Sequence, residues 1–182
     1  GWDVSDFTAT ENAMKEIIRT CGHLDVVVNN AGITRDGLLM SMKEEDYDRV
    51  LDVNLKGAVL FVRAVLGRMF EQNYGVIINM GSIDGVSGGA CLDYTASKCG
   101  MIGLSQGIAN YGAEHGVRSV CISPGPVLTR AAMANMRTLL GRAAEPEEIV
   151  NLILYVCSDK GSFITGCNYL IDGGRSCAAG RF

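Results

Sequence analysis

The chain has 182 residues, 48% of them hydrophobic and 20% charged, with a net charge of −4. That balance excludes a disordered segment and gives no electrostatic reason to expect nucleic acid or an anionic membrane surface as partner. No run approaches the roughly 18 apolar residues of a membrane span, and the opening "GWDVSDFTAT" is neither a signal nor a transit peptide.

Seven cysteines with no C-x-x-C pair read as reduced thiols, which points to a cytoplasmic protein and away from a disulfide or zinc framework. The length suits a single domain over residues 1–182. In chain order, a helix is predicted over about 8–21 and a buried strand at "LDVVV" (24–28). A long helix follows over about 43–72, where Leu, Val and Phe recur at threes and fours behind the acidic, solvated "KEEDYD". The strand "GVIINM" (75–80), a helix over about 93–115 and the strand "VRSVCIS" (117–123) come next. Pro146 and its neighbouring acids suit the first turn of a helix over about 145–157, and "NYLI" (168–171) is a last strand. Alternating β and α with single-helix connections implies an α/β fold, a Rossmann-like doubly wound parallel sheet.

In such sheets ligands bind at the carboxyl ends of the strands. The turns there are "NNAG" (29–32), "GSIDG" (81–85), "PGPVLT" (124–129) and "DGG" (172–174), three of them glycine-rich. Near that rim lie chemically capable side chains. Tyr94 and Lys98 in "YTASK" are four apart, on one face of a helix. A phenol has a reference pKa of about 10, which a neighbouring cation lowers. Ser82 follows the strand 75–80, within reach of Tyr94, and Asn54 occupies mid-helix, where an amide is a mediocre helix former. A hydroxyl, a phenol, an ammonium and an amide suit polarising a carbonyl oxygen and passing it one proton. They suit hydrolysis poorly, because Ser82 has no sequence-indicated base. Asp84 reads as solvent-facing, His23 and His115 as surface residues, and Cys91 and Cys99 as fillers of small core spaces. Met133 and Met136 could equally line an acyl-binding lid or pack its helix.

"NNAG", the Asn of "VNLKG", "GS" after a strand, "YTASK" and "SPGPVLT" follow one another in an order that resembles the short-chain dehydrogenase/reductase family, over essentially the whole chain. The stretch "NNAGITRDGLLMSMKEEDYDRVLDVNLKG" is most similar to 3-oxoacyl-[acyl-carrier-protein] reductases. The resemblance implies that Tyr94 protonates a carbonyl oxygen as nicotinamide delivers hydride to the carbon. It further implies that Lys98 lowers the Tyr94 pKa and holds the nicotinamide ribose, that Ser82 orients the substrate oxygen, and that Asn54 holds a water of a proton relay. Asp3 and Val4 would contact adenine, and Asn30, Ala31 and Gly32 would line the cofactor. Val127 would meet the nicotinamide amide and Thr129 the pyrophosphate end. NADP(H) is implied over NAD(H), with a small-molecule or carrier-bound carbonyl substrate and a homotetramer packed through the helices 43–72 and 93–115. Apolar residues beyond one face, such as Val59, Phe61, Val62 and Val65, fit that packing. Asn73 and His115 stand where the family's reductases meet their carrier.

The chain departs from the family pattern in three places. The phosphate loop T-G-x-x-x-G-x-G after a first strand is absent, and "GVSGGA" (85–90) is no substitute. The Ser82-to-Tyr94 interval is about one residue shorter than usual, and the segment between Thr129 and Gly141 is short. "GWDVSD" reads as the end of a strand with two βα units before it, roughly 60 residues by the usual βαβ size. The expected sheet therefore lacks its first βαβ portion, which would leave an open edge at Val26, Val27 and Val28. Two rival readings remain: the same fold acting on a hydroxysteroid, bile acid, sugar or polyol, and a non-catalytic interaction protein.

Overall fold

The computed structural model describes residues 1–35, 37, 39–129, 133 and 135–178. Four parallel strands form its sheet: β1 Val26–Asn29, β2 Gly75–Met80, β3 Val117–Pro124 and β4 Asn168–Ile171, side by side in sequence order. The helices are α1 Phe7–Cys21, α2 Glu44–Leu51, α3 Gly57–Gln72, α4 Asp84–Ser87, α5 Leu92–Gly112 and α6 Pro146–Cys157. The fold is α/β and Rossmann-like, with helices on both faces of the sheet.

The strand pleat decides which residues meet which helices. Successive side chains alternate faces, so Val27 and Ile77 join Met14 of α1, Val62, Val65 and Met69 of α3, and Ile108 of α5. On the opposite face Val76, Ile78, Val120 and Ile122 pack under Ile149 and Val156 of α6. β2 is therefore buried at all six positions, as expected of a strand covered on both faces. Its neighbour β1 pairs with β2 alone among the described residues, and Val26 and Val28 are exposed. The side chains of Val62 and Val65 are core here, and Phe61 stacks on Trp2. Of the four residues expected to lie beyond the buried face of this helix, Val59 is the exposed one.

The predicted helix over 43–72 is not one continuous α-helix. Between α2 and α3 the chain makes a five-residue π-helical turn, Asp52–Lys56. The wider turn inserts one residue into the helical register, and Asn54 sits at its centre, fully buried. Gly57 closes this turn because a Cβ there would stand 3.0 Å from the Val4 side chain. The missing Cβ lets the segment 3–4 lie against the start of α3.

After β2, Gly85 brings α4 against α5; a Cβ at this position would lie 2.6 Å from the Lys98 carbonyl carbon. Asp84, expected to face solvent, is half-buried at the start of α4, and burial raises its carboxyl pKa while Arg175 opposes the rise. Cys99 is exposed on α5 rather than filling the core, and the fully buried thiol is Cys121 of β3. His23 pairs with Asp25 at the surface, whereas His115 is half-buried with its ring stacked 3.9 Å from that of Phe70. Asn73 caps α3 in the left-handed conformation, φ 52°. No helix among the described residues is long and apolar enough to cross a membrane.

Candidate active site

The carboxyl ends of β1, β2 and β3 open onto one cleft of about 710 Å³. Asn30, Gly32 and Arg35 line it after β1, Gly81 and Ser82 after β2, and Gly125, Val127 and Thr129 after β3. Tyr94 and Lys98 of α5 complete the floor, and Ile149, Val150 and Ile153 of α6 supply an apolar wall. Met133 lines the cleft as well, while Arg130, Ala131, Ala132 and Ala134 of the expected lid lie outside the described residues.

Lys98 is strongly perturbed. Its side chain crosses beneath Tyr94, with Nζ 5.6 Å from that ring's centroid, and donates to the Met80 carbonyl at 2.7 Å. The residue is 4% exposed. Taking an ammonium out of water disfavours its charged form, and burial pushes the Lys98 pKa down to about 8 against a weaker opposing pull from the Cys121 thiol. Ser82 Oγ accepts the Asp84 backbone N–H at 3.1 Å, which leaves its own O–H to donate. The Tyr94 backbone is held at both ends: its N–H donates to Asp93 Oδ1 at 2.8 Å, and its carbonyl accepts from Ser97 Oγ at 2.7 Å.

Asn54 stands behind the cleft rather than in its wall. Its Oδ1 accepts the Ile33 N–H at 2.7 Å, and its Nδ2 donates to the Ile33 carbonyl at 2.9 Å and to Ser97 Oγ at 3.1 Å. The buried amide is thus satisfied by the loop after β1 and by α5. It ties three elements together beside Lys98. Gly32, between them, would place a Cβ 3.5 Å from Asn54 Oδ1 and 3.6 Å from Lys98 Nζ.

Of the remaining expected residues, Val127 and Thr129 line the same cleft as Tyr94, and Val4, Ala31 and Asp3 do not. Val4 and Ala31 line a smaller cavity of about 60 Å³ with Asn30 and Phe61. Asp3 lines neither space: its carboxylate is bonded to Arg49 at 2.8 Å and to Ser5, and the Arg49 guanidinium holds it well below the usual carboxylate range. Val127 makes a parallel bridge to Ala144, and Thr129 Oγ1 lies 3.5 Å from the Val127 carbonyl.

Sequence reasoning missed Ser97, Thr34, Arg35 and the α6 wall. Ser97 had a signal, since a serine one turn after Tyr94 in the middle of a helix needs a partner. The α6 wall had none, because its contribution depends on how helix and sheet pack.

Known proteins resemble this chain along most of its length. The family model described as enoyl-(acyl carrier protein) reductase matches residues 1–176. The 3-oxoacyl-[acyl-carrier-protein] reductase FabG of Thermotoga maritima is 38% identical, over 94% of this chain and 74% of its own length. A 3-alpha-(or 20-beta)-hydroxysteroid dehydrogenase of Mycobacterium tuberculosis is 39% identical, over 94% and 68%. The (2S)-[(R)-hydroxy(phenyl)methyl]succinyl-CoA dehydrogenase subunit BbsD of Thauera aromatica is 33% identical, over 98% and 75%.

Proposed function

Because this chain belongs to the short-chain dehydrogenase/reductase family of oxidoreductases, we propose that it reduces a 3-oxoacyl thioester to the 3-hydroxyacyl form with NADPH, Tyr94 giving the proton. One observation carries the chemistry. Ser82, Tyr94 and Lys98 share a cleft whose described lining holds neither a carboxylate nor a histidine. Those groups can polarise a carbonyl and protonate its oxygen, but they cannot activate a hydrolytic water efficiently.

The residues fit a nicotinamide cofactor. Among the described residues, Lys98 spends one N–H on Met80, which leaves others for ribose hydroxyls, and Gly32 keeps the floor beside them free of a side chain. Asn30, Ala31 and Gly32 would line the cofactor, Val127 would meet its nicotinamide amide, Thr129 would lie toward the pyrophosphate end, and Asp3 and Val4 would face the adenine. When bound, the reduced cofactor supplies the hydride. The protein supplies the rest. Ser82 donates a hydrogen bond to the carbonyl oxygen, and Tyr94 passes its hydroxyl proton to that oxygen as negative charge develops. The Lys98 ammonium stabilises the tyrosinate left behind. Asn54 keeps the loop 30–33 and α5 in register, and a relay water for Tyr94 is assigned to its neighbourhood.

The thioester substrate is supported by the T. maritima and Th. aromatica relatives, whose names specify an acyl-carrier and a CoA compound. The mycobacterial relative favours the second reading, a hydroxysteroid. A homotetramer packed through α3 and α5 belongs to the proposal, supported by the exposure of Val59 and Tyr111 on those helices. The deciding experiment is a panel of 3-oxoacyl thioesters and ketosteroids assayed with NADPH and with NADH. Faster turnover of the thioesters with NADPH is expected. Turnover of ketosteroids alone would replace the first reading by the second.

A further inference from the structure

Two charged side chains occur among the described lining residues of the main cleft, Lys98 and Arg35, and both are cations. Lys98 is buried beneath Tyr94 and already donates to Met80. Arg35 is different: its side chain is 53% exposed. It is also restrained from one side only. Its Nε lies 3.5 Å from Asp46 Oδ1 of α2, an ion pair beyond the usual hydrogen-bond distance. Among the described residues neither Nη group makes a hydrogen bond.

A structural clasp in this molecule has another form. Arg142 grips Glu148 through both Nη groups, at 2.6 and 2.8 Å. Nor does the loop after β1 need Arg35 to fix it, because Asn54 bonds both backbone groups of Ile33 two residues earlier. What remains is a half-exposed guanidinium on a cleft-lining residue, paired through Nε and with its forked Nη edge unbonded among the described residues, the arrangement that can match two oxygens of a phosphate or carboxylate.

We propose that Arg35 is a specificity-determining residue that binds an anionic group of the substrate, a phosphate or carboxylate carried away from the reacting carbonyl. The proposal rests on the thioester reading and narrows it to thioesters whose carrier arm is charged. The same anion chemistry could come from the cofactor's phosphates, so the test separates the two sources.

Calorimetric titration of the full chain and its variants with acetoacetyl-CoA, with the uncharged acetoacetyl-N-acetylcysteamine thioester and with NADPH reads binding without requiring turnover. Arg35→Gln is expected to raise the Kd of acetoacetyl-CoA about tenfold or more, the scale of a lost charge-assisted hydrogen bond. It should change the Kd of the neutral thioester and of NADPH less than about twofold on the same scale, and unchanged NADPH binding also shows that the variant is folded. Asp46→Asn, which releases Arg35, should leave acetoacetyl-CoA binding unchanged or tighter. Equal weakening toward both thioesters, weakening toward NADPH alone, no effect at all, or an Asp46→Asn variant that weakens binding as Arg35→Gln does would each overturn the assignment. A wild-type protein that binds NADPH and a ketosteroid but neither thioester would instead overturn the thioester reading itself, and the Arg35 assignment with it.

Discussion

Lys98 holds an ammonium in a site only 4% exposed, against a single carbonyl partner among the described residues. Its pKa falls to about 8 because burial outweighs everything that favours the charge. The sign of the linkage follows. Below about pH 8 the residue is protonated in both folded and unfolded chains, and the folded state carries the cost of the buried charge. Between about 8 and the reference value of 10.5, the unfolded chain binds a proton that the folded chain has released, so stability rises with pH. At about 1.4 kcal/mol per pKa unit the rise is on the order of 3 kcal/mol. Urea unfolding at pH 8 and pH 10 is expected to show about 2 kcal/mol of that gain in wild type and to lose it in Lys98→Met; parallel pH profiles for the two would refute the buried charge. Activity should run the other way. If the ammonium is what stabilises the tyrosinate of Tyr94, turnover declines as the pH passes about 8.

Among the elements, the π-helical turn at Asp52–Lys56 does most to build the site, because it turns Asn54 inward between the loop after β1 and α5. Asn54→Ala leaves the Ile33 N–H and carbonyl without their partner and takes one donor from the Ser97 hydroxyl, which keeps its bond to the Tyr94 carbonyl. The expected loss is about 1–3 kcal/mol for each buried group left unpaired, measurable as a lowered urea midpoint, and turnover should fall with it. A midpoint matching wild type would show that Asn54 holds nothing in place. This element was only half legible from sequence. The periodicity of Leu, Val and Phe over 43–72 gave helix, and an amide in mid-helix marked Asn54 as odd. Periodicity cannot register a one-residue insertion, so the break between α2 and α3 went unseen. The strands were legible for the opposite reason: "GVIINM" is apolar at nearly every position, as a strand buried on both faces must be. Arg35 escaped notice because a lone arginine in a loop has no pattern; its place in the cleft comes from how Ile33 is anchored.

For the molecule as a whole, the parallel sheet gathers turns from distant parts of the chain onto one rim, and the proposed function depends on that convergence. Assembly acts at the same scale. Val59 on α3 and Tyr111 on α5 expose apolar surface that a monomer would leave in water. Light scattering at micromolar concentration is expected to give a tetramer, and Val59→Glu to dissociate it without unfolding the subunit; a monomeric wild type would contradict this packing. The central claim, that this cleft reduces a carbonyl with Tyr94 as the proton donor, is tested most directly by NADPH consumption with a 3-oxoacyl thioester in wild type and Tyr94→Phe. Removing one hydroxyl leaves the ring and its packing in place. The expected result is a loss of at least about 100-fold in turnover, the scale of general acid catalysis, with NADPH affinity nearly unchanged; equal rates in the two proteins would contradict the assignment.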